Sequence, residues 1–275
     1  MGSETAKGGF RNEEDIVKKF NNWNNDFEAQ KWLQIMGYKL EMLKNVSAIL
    51  IPVRIKQSDL GFYNIPSEAD YYELTKFKKA DAQIKLIITI GNIVKVENIS
   101  IKKANSNSDY NQIDKRPVSA YQEMWGFDDE IAEWLRLFTG ETQPDESDLY
   151  NSDMMIREPK RRIYLNEMPS KISKKIISFF EKNRILVISD ILKGRGGLSA
   201  DWILVTKYDI VSDETAWILV DINVAMNFYG QGEVTISPRG SISIDKITLQ
   251  RKGGTPDPTS LQFKFHPCDL FNLGT

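Results

Sequence analysis

Two ten-residue runs rich in β-branched residues, 81–90 and 93–102, are separated only by Gly91-Asn92. Each run has the length and composition of a β-strand, and a Gly-Asn pair between two such runs is typical of a tight turn. The segment therefore predicts a β-hairpin. No other part of the chain limits the fold as strongly, because this pair requires a sheet that contains antiparallel strands.

The open end of this hairpin gathers polar residues. Ser100 and Lys102 share one face of the second strand because residues two apart project the same way, and the hairpin brings Asp81 beside them. Glu97 is the acidic residue nearest to Ser100 and Lys102 in the sequence, but it is five positions from Lys102 and is therefore expected to project from the opposite face of the strand. An aspartate that binds a divalent cation beside a lysine suits a metal-dependent phosphodiesterase. The same spacing also describes a solvated hairpin end, so it leaves both interpretations open.

Helical spacing and alternating patterns predict the remaining elements. Helices are expected at 13–23 with Asn12 as N-cap, 27–36, 118–139, 170–183 with Ser170 as cap, and 221–229. Strands are expected at 185–188, 202–207, 217–220, 234–236, 242–244, 247–250 and 261–265, and residues 46–55 are interpreted as a β-rich or buried element broken by Pro52. Residues 105–116 are predicted as a polar loop, and residues 56–79 as an inserted loop with at most one helical turn. Without repeats or a linker, the pattern favours one α/β domain over residues 1–275, with a mixed β-sheet flanked by helices.

The charge is divided into blocks along the chain. With 36 basic and 38 acidic residues the net charge is −2, which alone argues against a nucleic-acid-binding protein. However, residues 121–153 hold ten acids and one base (−9), residues 157–207 twelve bases and five acids (+7), and residues 237–264 five bases and two acids (+3). Folding can join the two basic segments into a polyanion-binding face. Solvated helix faces of opposite sign are the alternative.

The chain has one cysteine, Cys268, and one histidine, His266. The single cysteine excludes an intramolecular disulfide and fits a reducing compartment. The single histidine excludes zinc fingers and HExxH sites, and any Ser-His-Asp system would have to use His266. The N-terminal segment has no apolar core of a signal peptide, and no apolar run approaches the roughly 18 residues of a membrane span. A cytoplasmic location without a membrane partner is expected.

Several stretches, in chain order, resemble known enzymes. They are 5–7, 10–13, 111–115, 121–125, 127–129, 138–141, 181–184, 190–196, 237–241, 250–254 and 261–264. Together with the Asp…x-x-Lys hairpin of the PD-(D/E)xK nuclease superfamily, they resemble type II restriction endonucleases of the HinP type, which cut GCGC. The resemblance implies a restriction-endonuclease-like core with an insertion around 56–79.

The resemblance also implies a catalytic site. Asp81 matches the metal-binding aspartate and Lys102 the catalytic lysine, while Glu13 resembles a glutamate that often completes such sites. Ser100 stands where most relatives have Asp or Glu and the nearest have Gln. Because a hydroxyl is a weaker cation ligand than a carboxylate, either Ser100 binds through a water molecule or the carbonyl of Ile101 contributes more. The implied cofactor is Mg²⁺, for which Mn²⁺ can substitute.

The candidate DNA-binding residues lie in three segments, and the resemblance assigns those of the first and the third. Tyr110 stands where an aromatic side chain wedges into the base stack, and Gln112 and Lys115 where side chains contact base edges, which suits their donors and acceptors. The others are Asn111, Lys193, Arg195, Arg239, Ser241, Gln250, Arg251 and Lys252. The alternative for each is a solvated polar residue. The loop 193–197 is equally compatible with a phosphate cradle or a turn, and it lacks the P-loop pattern.

These features predict a Mg²⁺-dependent type II site-specific deoxyribonuclease that cuts double-stranded DNA at a short GC-rich palindrome, with GCGC expected. A restriction-modification system and a cognate DNA methyltransferase that forms no stable complex with the enzyme are implied. A palindromic site fits a homodimer or a monomer that nicks each strand in turn. Two alternatives stay open: a catalytically impaired DNA-binding protein on the same fold, which the serine at position 100 favours, and a nuclease directed at RNA or repair.

Overall fold

The computed structural model describes residues 2–63, 65, 70–88, 93–104, 106, 110–151, 154, 156–157, 161–209, 214–252 and 259–274, with only the backbone for residues 2–10, 70, 209 and 274. The predicted Gly91-Asn92 turn lies outside these residues. The chain divides into two compact units. The first contains Met1–Asp109, Leu192–Met226 and Pro267–Thr275, and the second contains Tyr110–Ile191 and Asn227–His266. Whether both belong to one domain stays a prediction.

A five-stranded mixed sheet forms the centre of the first unit. Its strands are β1 (Leu43–Leu50), β2 (Ala82–Ile88), β3 (Val94–Ala104), β5 (Trp202–Asp209) and β6 (Glu214–Asp221), and their order is β1-β2-β3-β5-β6. Only β3 and β5 pair in parallel; the other neighbours are antiparallel. In the predicted hairpin, Ala82 of β2 lies opposite Ile99 of β3. The antiparallel strand pair that the sequence indicates is therefore confirmed.

Two helices contribute to the apolar core of this sheet. They are α1 (Gly2–Asn21) and α2 (Phe27–Ile35), and their buried Phe20 and Trp32 belong to one cluster with Ile84 of β2. The predicted N-cap at Asn12 is wrong, because α1 begins ten residues earlier. Asn12 lies inside the helix, and its Oδ1 accepts a hydrogen bond of 2.8 Å from the hydroxyl of Thr206.

The insertion between β1 and β2 has more structure than the sequence suggests. It contains a 3₁₀ helix (Gln57–Tyr63) and α3 (Asp70–Phe77), where at most one helical turn is predicted. Leu60 and Leu74 join a small core of their own with Leu198 from the glycine-bearing loop before β5. Since this segment buries apolar side chains, it is a packed element rather than a solvent-exposed polar loop.

The second unit contains an antiparallel sheet of its own. Its strands are β4 (Asn111–Arg116), β10 (Leu261–Phe265), β9 (Ile247–Arg251), β8 (Ile242–Ile244) and β7 (Val234–Ile236), in that spatial order. The predicted loop at 105–116 is therefore wrong over 111–116. That segment pairs with β10, with Lys115 opposite Gln262. Polar residues prevail in β4 because it is an edge strand.

The helices of this unit differ from prediction at several ends. The expected helix at 118–139 is two helices, α4 (Val118–Trp125) and α5 (Asp129–Thr139), because Gly126 has a φ of +70°. Helix α6 (Ser170–Lys182) has Pro169 at its N-cap without a side-chain hydrogen bond, so Ser170 is not the cap. The strand predicted at 185–188 is wrong: α7 (Arg184–Ile188) occupies it, and a π-helical turn at Ser189–Lys193 follows.

Helix α8 (Ile222–Gly230) agrees with prediction, and its residues divide between the two units. The four C-terminal strands also agree with the sequence pattern.

Among the helices of the described residues, none is long and apolar enough to cross a membrane. The architecture is thus mixed α/β, as expected.

Candidate functional site

Asp81 is held at the entrance to β2 by its own backbone. Its amide donates to the carbonyl of Ile99 (2.8 Å), and its carbonyl accepts from the amide of Ile51 (2.9 Å). These bonds tie the residue to β3 on one side and to the chain after β1 on the other. The carboxylate therefore projects from an anchored position.

One carboxylate oxygen of Asp81 gathers three donors. Its Oδ2 accepts from the amide of Ile101 (2.6 Å), from the hydroxyl of Ser100 (3.2 Å) and from Nζ of Lys102 (3.2 Å). The same ammonium group donates to the carbonyl of Ile101 at 3.1 Å. The side chains of Lys102 and Asp81 are 21% and 29% exposed, whereas Ser100 is 4% exposed. Solvent can thus reach the charged pair, but the serine hydroxyl is nearly enclosed.

Glu13 of α1 shares the electrostatic environment of this pair. Its pKa is raised from 4.5 to about 7, mainly by burial and next by the negative charge of Asp81. The positive charges of Lys102 and Lys78 oppose this shift. A carboxyl group with a pKa near neutrality can hold or release a proton at physiological pH. The structure therefore brings together the four residues that the sequence assigns to catalysis.

Lys78 is a charged neighbour that the sequence analysis missed. Burial lowers the pKa of its ammonium group, and the charges of Asp81 and Glu13 oppose that effect. Its Nζ donates to the carbonyl of Pro52 at 2.6 Å. The residue belongs to a run of three lysines within four positions, Lys76, Lys78 and Lys79, just before Asp81. This concentration of lysines next to Asp81 is the sequence feature that could have indicated Lys78.

The oxygen donors at this site fit a hard divalent cation. They are the carboxyl groups of Asp81 and Glu13, the carbonyl of Ile101 and, less accessibly, the hydroxyl of Ser100. Within the described residues, no group of three or more His, Cys, Asp or Glu side chains gathers at one point. Mg²⁺ keeps several waters and needs only one or two protein carboxylates. The donor set is therefore suitable for Mg²⁺.

Glu97 does not join the site, in agreement with its predicted direction. Its carboxylate accepts hydrogen bonds from the hydroxyl of Tyr38 and from Nε1 of Trp202, the latter at 2.9 Å. Burial, together with this hydrogen bond to Glu97, raises the pKa of Tyr38. The acid nearest to Ser100 in the sequence is thus committed to structural contacts.

The glycine-bearing loop at 193–197 is fastened to α3. The amide of Arg195 donates to the carbonyl of Phe77 (3.3 Å), and its guanidinium carbon lies 4.1 Å from the centre of the Phe77 ring. The carbonyl of Lys193 accepts from the amide of Ala200 at 2.7 Å, which closes the loop. These contacts give the loop a defined shape within the first unit. A DNA-binding role for Lys193 and Arg195 stays a prediction.

Tyr110 is packed at the start of β4 rather than standing free. Its ring centre lies 4.4 Å from that of His266, and Nζ of Lys264 lies 5.6 Å from it. Burial raises the pKa of the Tyr110 hydroxyl, and a hydrogen bond to Thr248 opposes that shift. An aromatic wedge would have to leave these contacts, so the wedge role stays a prediction.

Polar side chains form a row across three strands of the second unit. Gln262 of β10 lies opposite Lys115 of β4 and Gln250 of β9. Its Nε2 donates to Oε1 of Gln112 at 2.7 Å. Two of the side chains assigned to base contacts are thus grouped around a buried glutamine that the sequence analysis did not select.

A cleft of about 500 Å³ in the second unit collects basic side chains. Ten residues line it, of which six are cationic and none is acidic: Arg157, Arg162, Tyr164, Arg239, Ser241, Gln250, Arg251, Lys252, Gln262 and Lys264. Five of them carry DNA-binding predictions. Arg157 and Arg162 come from the +7 block, and the other four cations come from the +3 block. The expectation that folding joins these blocks is confirmed for this part of them.

Comparison with known proteins identifies the family. The family model for the R.HinP1I restriction endonuclease matches residues 72–271. The crystal structure of restriction endonuclease MspI in complex with its cognate DNA is similar in fold, with a TM-score of 0.55 and 15% sequence identity over 93% of this chain and 88% of that chain. No curated protein matches the chain. Since the family match spans more than half of the sequence, this chain belongs to the R.HinP1I restriction endonuclease family, and its family and fold support a type II sequence-specific DNA endonuclease.

Proposed function

We propose that this protein hydrolyses phosphodiester bonds of double-stranded DNA in a Mg²⁺-dependent reaction at a short GC-rich palindrome, with GCGC as the expected site. The observation that carries the proposal is the convergence of Ser100, Ile101 and Lys102 on one oxygen of Asp81. This arrangement places a fixed carboxylate beside an ammonium group at a solvent-accessible strand end. A nuclease needs both groups close to one phosphate.

Each residue has a distinct part in this proposal. Because Oδ2 of Asp81 is held by three donors, its Oδ1, which has no hydrogen-bond partner among the described residues, is available to a cation. Lys102 offsets the charge that develops on the phosphate. Glu13, with its pKa near 7, can take up a proton from a water molecule. When bound, Mg²⁺ supplies Lewis-acid stabilisation of the phosphate oxygens and lowers the pKa of water, and Mn²⁺ substitutes for it.

The second unit supplies the recognition residues in this proposal. Gln112 and Lys115 contact base edges, while Arg239, Arg251 and Lys252 in the basic cleft contact phosphates and guanine edges. The cleft offers positive charge although the whole chain has a net charge of −2. Strong salt dependence of binding is expected for contacts of this type.

The alternative is a DNA-binding protein on the same fold with impaired catalysis. The serine at position 100, its low exposure and the absence of a third acid around Asp81 among the described residues favour it. Such a protein would keep the basic cleft and lose the cleavage step. The two functions therefore differ in reaction and not in ligand.

Incubation of the purified protein with plasmid DNA and Mg²⁺ tests the proposal. Discrete fragments that disappear in Asp81→Ala, but persist in the partly exposed control Asp59→Ala, are expected. Sequencing of the fragment ends gives the recognition site. Tight, sequence-specific binding without cleavage in either Mg²⁺ or Mn²⁺ would establish the alternative and reject the nuclease.

The wider context belongs to the same proposal. The enzyme acts in the cytoplasm within a restriction-modification system, beside a DNA methyltransferase that protects the same site without forming a stable complex. A monomer that nicks each strand in turn and a homodimer are both compatible with a palindromic site. Sedimentation of the protein with and without a GCGC duplex distinguishes them.

A further inference from the structure

Two arginines share one aromatic ring at the edge of the basic cleft. The guanidinium carbons of Arg157 and Arg162 each lie 4.1 Å from the centre of the Tyr164 ring. A guanidinium at this distance is attracted by the ring electrons while its N–H groups stay free to donate at the ring plane. Neither arginine nor the tyrosine is among the residues that the sequence assigns to DNA. All three line the cleft.

The hydrogen bonds of Arg157 are directed at protein groups. Its Nε contacts Oε1 of Glu167 (2.8 Å), and its two terminal nitrogens donate to Oδ1 of Asn166 (2.6 Å) and to the carbonyl of Arg239 (3.2 Å). The side chain of Glu167 is 7% exposed, so this ion pair is largely desolvated on the acid side. Arg157 therefore connects the segment before α6 to the loop that carries Arg239.

Arg162 differs from Arg157 in its partners. Its guanidinium also approaches the ring of Phe138, at 5.8 Å, and no ion pair involves it within the part of the chain that the structure describes. Arg239 and Lys252 likewise take part in no ion pair among the described residues. These three charges line one cleft that no acidic side chain lines. Like charges gathered without counter-ions attract a polyanion.

From this contrast we infer that Arg162, stacked on Tyr164, is a phosphate-binding residue for the DNA backbone, and that Arg157 is a positioning residue that holds the Arg239 loop beside it. The inference rests on the proposed function, because the ligand is the DNA substrate. The aromatic platform fixes the direction of the Arg162 guanidinium, so less side-chain freedom is lost when it binds a phosphate oxygen. The phosphate contact positions the duplex without selecting a base.

Binding of a 20-base-pair duplex that contains GCGC, measured from 50 to 300 mM salt in Ca²⁺ or without a divalent cation, tests the inference. Each phosphate contact contributes about 0.9 to the slope of log K against log salt. Arg162→Gln is expected to reduce the slope by about 1 and the affinity by about fivefold to tenfold at 0.15 M salt, equally for duplexes with and without GCGC. Arg161→Gln is the matched control, because this exposed neighbour does not line the cleft.

Two further variants separate charge from folding. Arg162→Lys is expected to keep the wild-type slope and lose part of the affinity, because the charge stays while the stacked, forked geometry is lost. Arg157→Gln is expected to weaken binding and raise the KM for DNA more than it lowers kcat, with the thermal unfolding curve checked in parallel. A slope decrease in Arg157→Gln larger than that in Arg162→Gln would contradict the assigned roles.

The result also distinguishes this inference from the proposed function. If the wild-type protein neither binds nor cuts any duplex, the proposed function fails and the inference fails with it. If the wild type binds and Arg162→Gln keeps the full salt slope, the inference is overturned and the nuclease stands. A decrease in slope with Arg162→Gln, absent with Arg161→Gln, supports the phosphate contact.

Discussion

Nε2 of Gln262 donates a 2.7 Å hydrogen bond to Oε1 of Gln112, so a buried glutamine orients an exposed one. Gln262 is 6% exposed, whereas Gln112 is open to solvent on the edge strand β4. Because the amide oxygen of Gln112 is engaged, its amide nitrogen is the group directed elsewhere. A donor suits the N7 and O6 acceptors of guanine better than the paired acceptor and donor of adenine.

Gln262→Met is expected to remove this orientation while nearly conserving side-chain volume. The preference for a GCGC duplex over one with adenine in place of a guanine is expected to fall by about 1–3 kcal/mol, because Gln112 can then rotate. Competition binding with singly substituted duplexes measures the preference. Gln143→Met, at an exposed position of the same unit, is the control, and an unchanged preference in Gln262→Met would refute the orienting role.

Ser100→Ala is expected to lower kcat only about threefold to tenfold, equivalent to about 1 kcal/mol. Asp81 loses one of its three hydrogen bonds but keeps the donors from Ile101 and Lys102. The Mg²⁺ concentration for half-maximal cleavage is expected to stay within about twofold, since the hydroxyl is buried against the carboxylate. A large increase in that concentration would instead identify Ser100 as a direct ligand.

Glu13 gives stability a dependence on pH when no divalent cation is present. The folded state keeps the Glu13 proton up to about pH 7, while the unfolded state releases it near 4.5, so the free energy of unfolding falls as pH rises between these values. Glu13→Gln is expected to remove this fall. Its Tm should match the wild type at pH 4 and exceed it by about 2–4 °C at pH 8, a modest gain because Glu13 is partly solvated. Glu14→Gln, on the exposed side of α1, provides the comparison.

Gly194→Ala is expected to destabilise the first unit by about 3 kcal/mol. Gly194 has a φ of +77°, and a Cβ there would overlap the carbonyl oxygen of Phe77. The loop must then move away from α3, which weakens the packing of the insertion. Gly61→Ala is the matched control because nothing lies within 4 Å of its Cβ, and chemical unfolding of both variants measures the difference. Equal stabilities would show that the loop can shift without cost.

The strand pair β2–β3 could be predicted because its information is local. Alternating apolar residues and the position of Asp81 relative to Ser100 and Lys102 determine which groups meet at the open end, and both side chains donate hydrogen bonds to Asp81 in the folded chain. The direction of Glu97 follows from the same alternation. Their assignment to catalysis is a prediction that activity measurements must decide.

The errors arise where distant contacts override local pattern. Residues 185–188 are all apolar and three of them are β-branched, yet they lie in α7, where Val187 and Ile188 are buried in the helical conformation. The polar segment 111–116 becomes an edge strand because β10 offers it hydrogen-bond partners. Arg162 and Lys252 line the same cleft only because of the tertiary fold, so no spacing in the sequence could have placed them together.

The central position of β3 in its sheet protects the candidate site against local unfolding. β3 is the third of five strands, with β2 bonded to one edge and β5 to the other. The amide proton of Lys102 is therefore expected to exchange with solvent deuterium only when the sheet opens globally, whereas those of edge strands and the insertion exchange through local opening. Gentle heating will disturb the periphery first, and Lys102 will remain against Asp81 until the first unit unfolds as a whole.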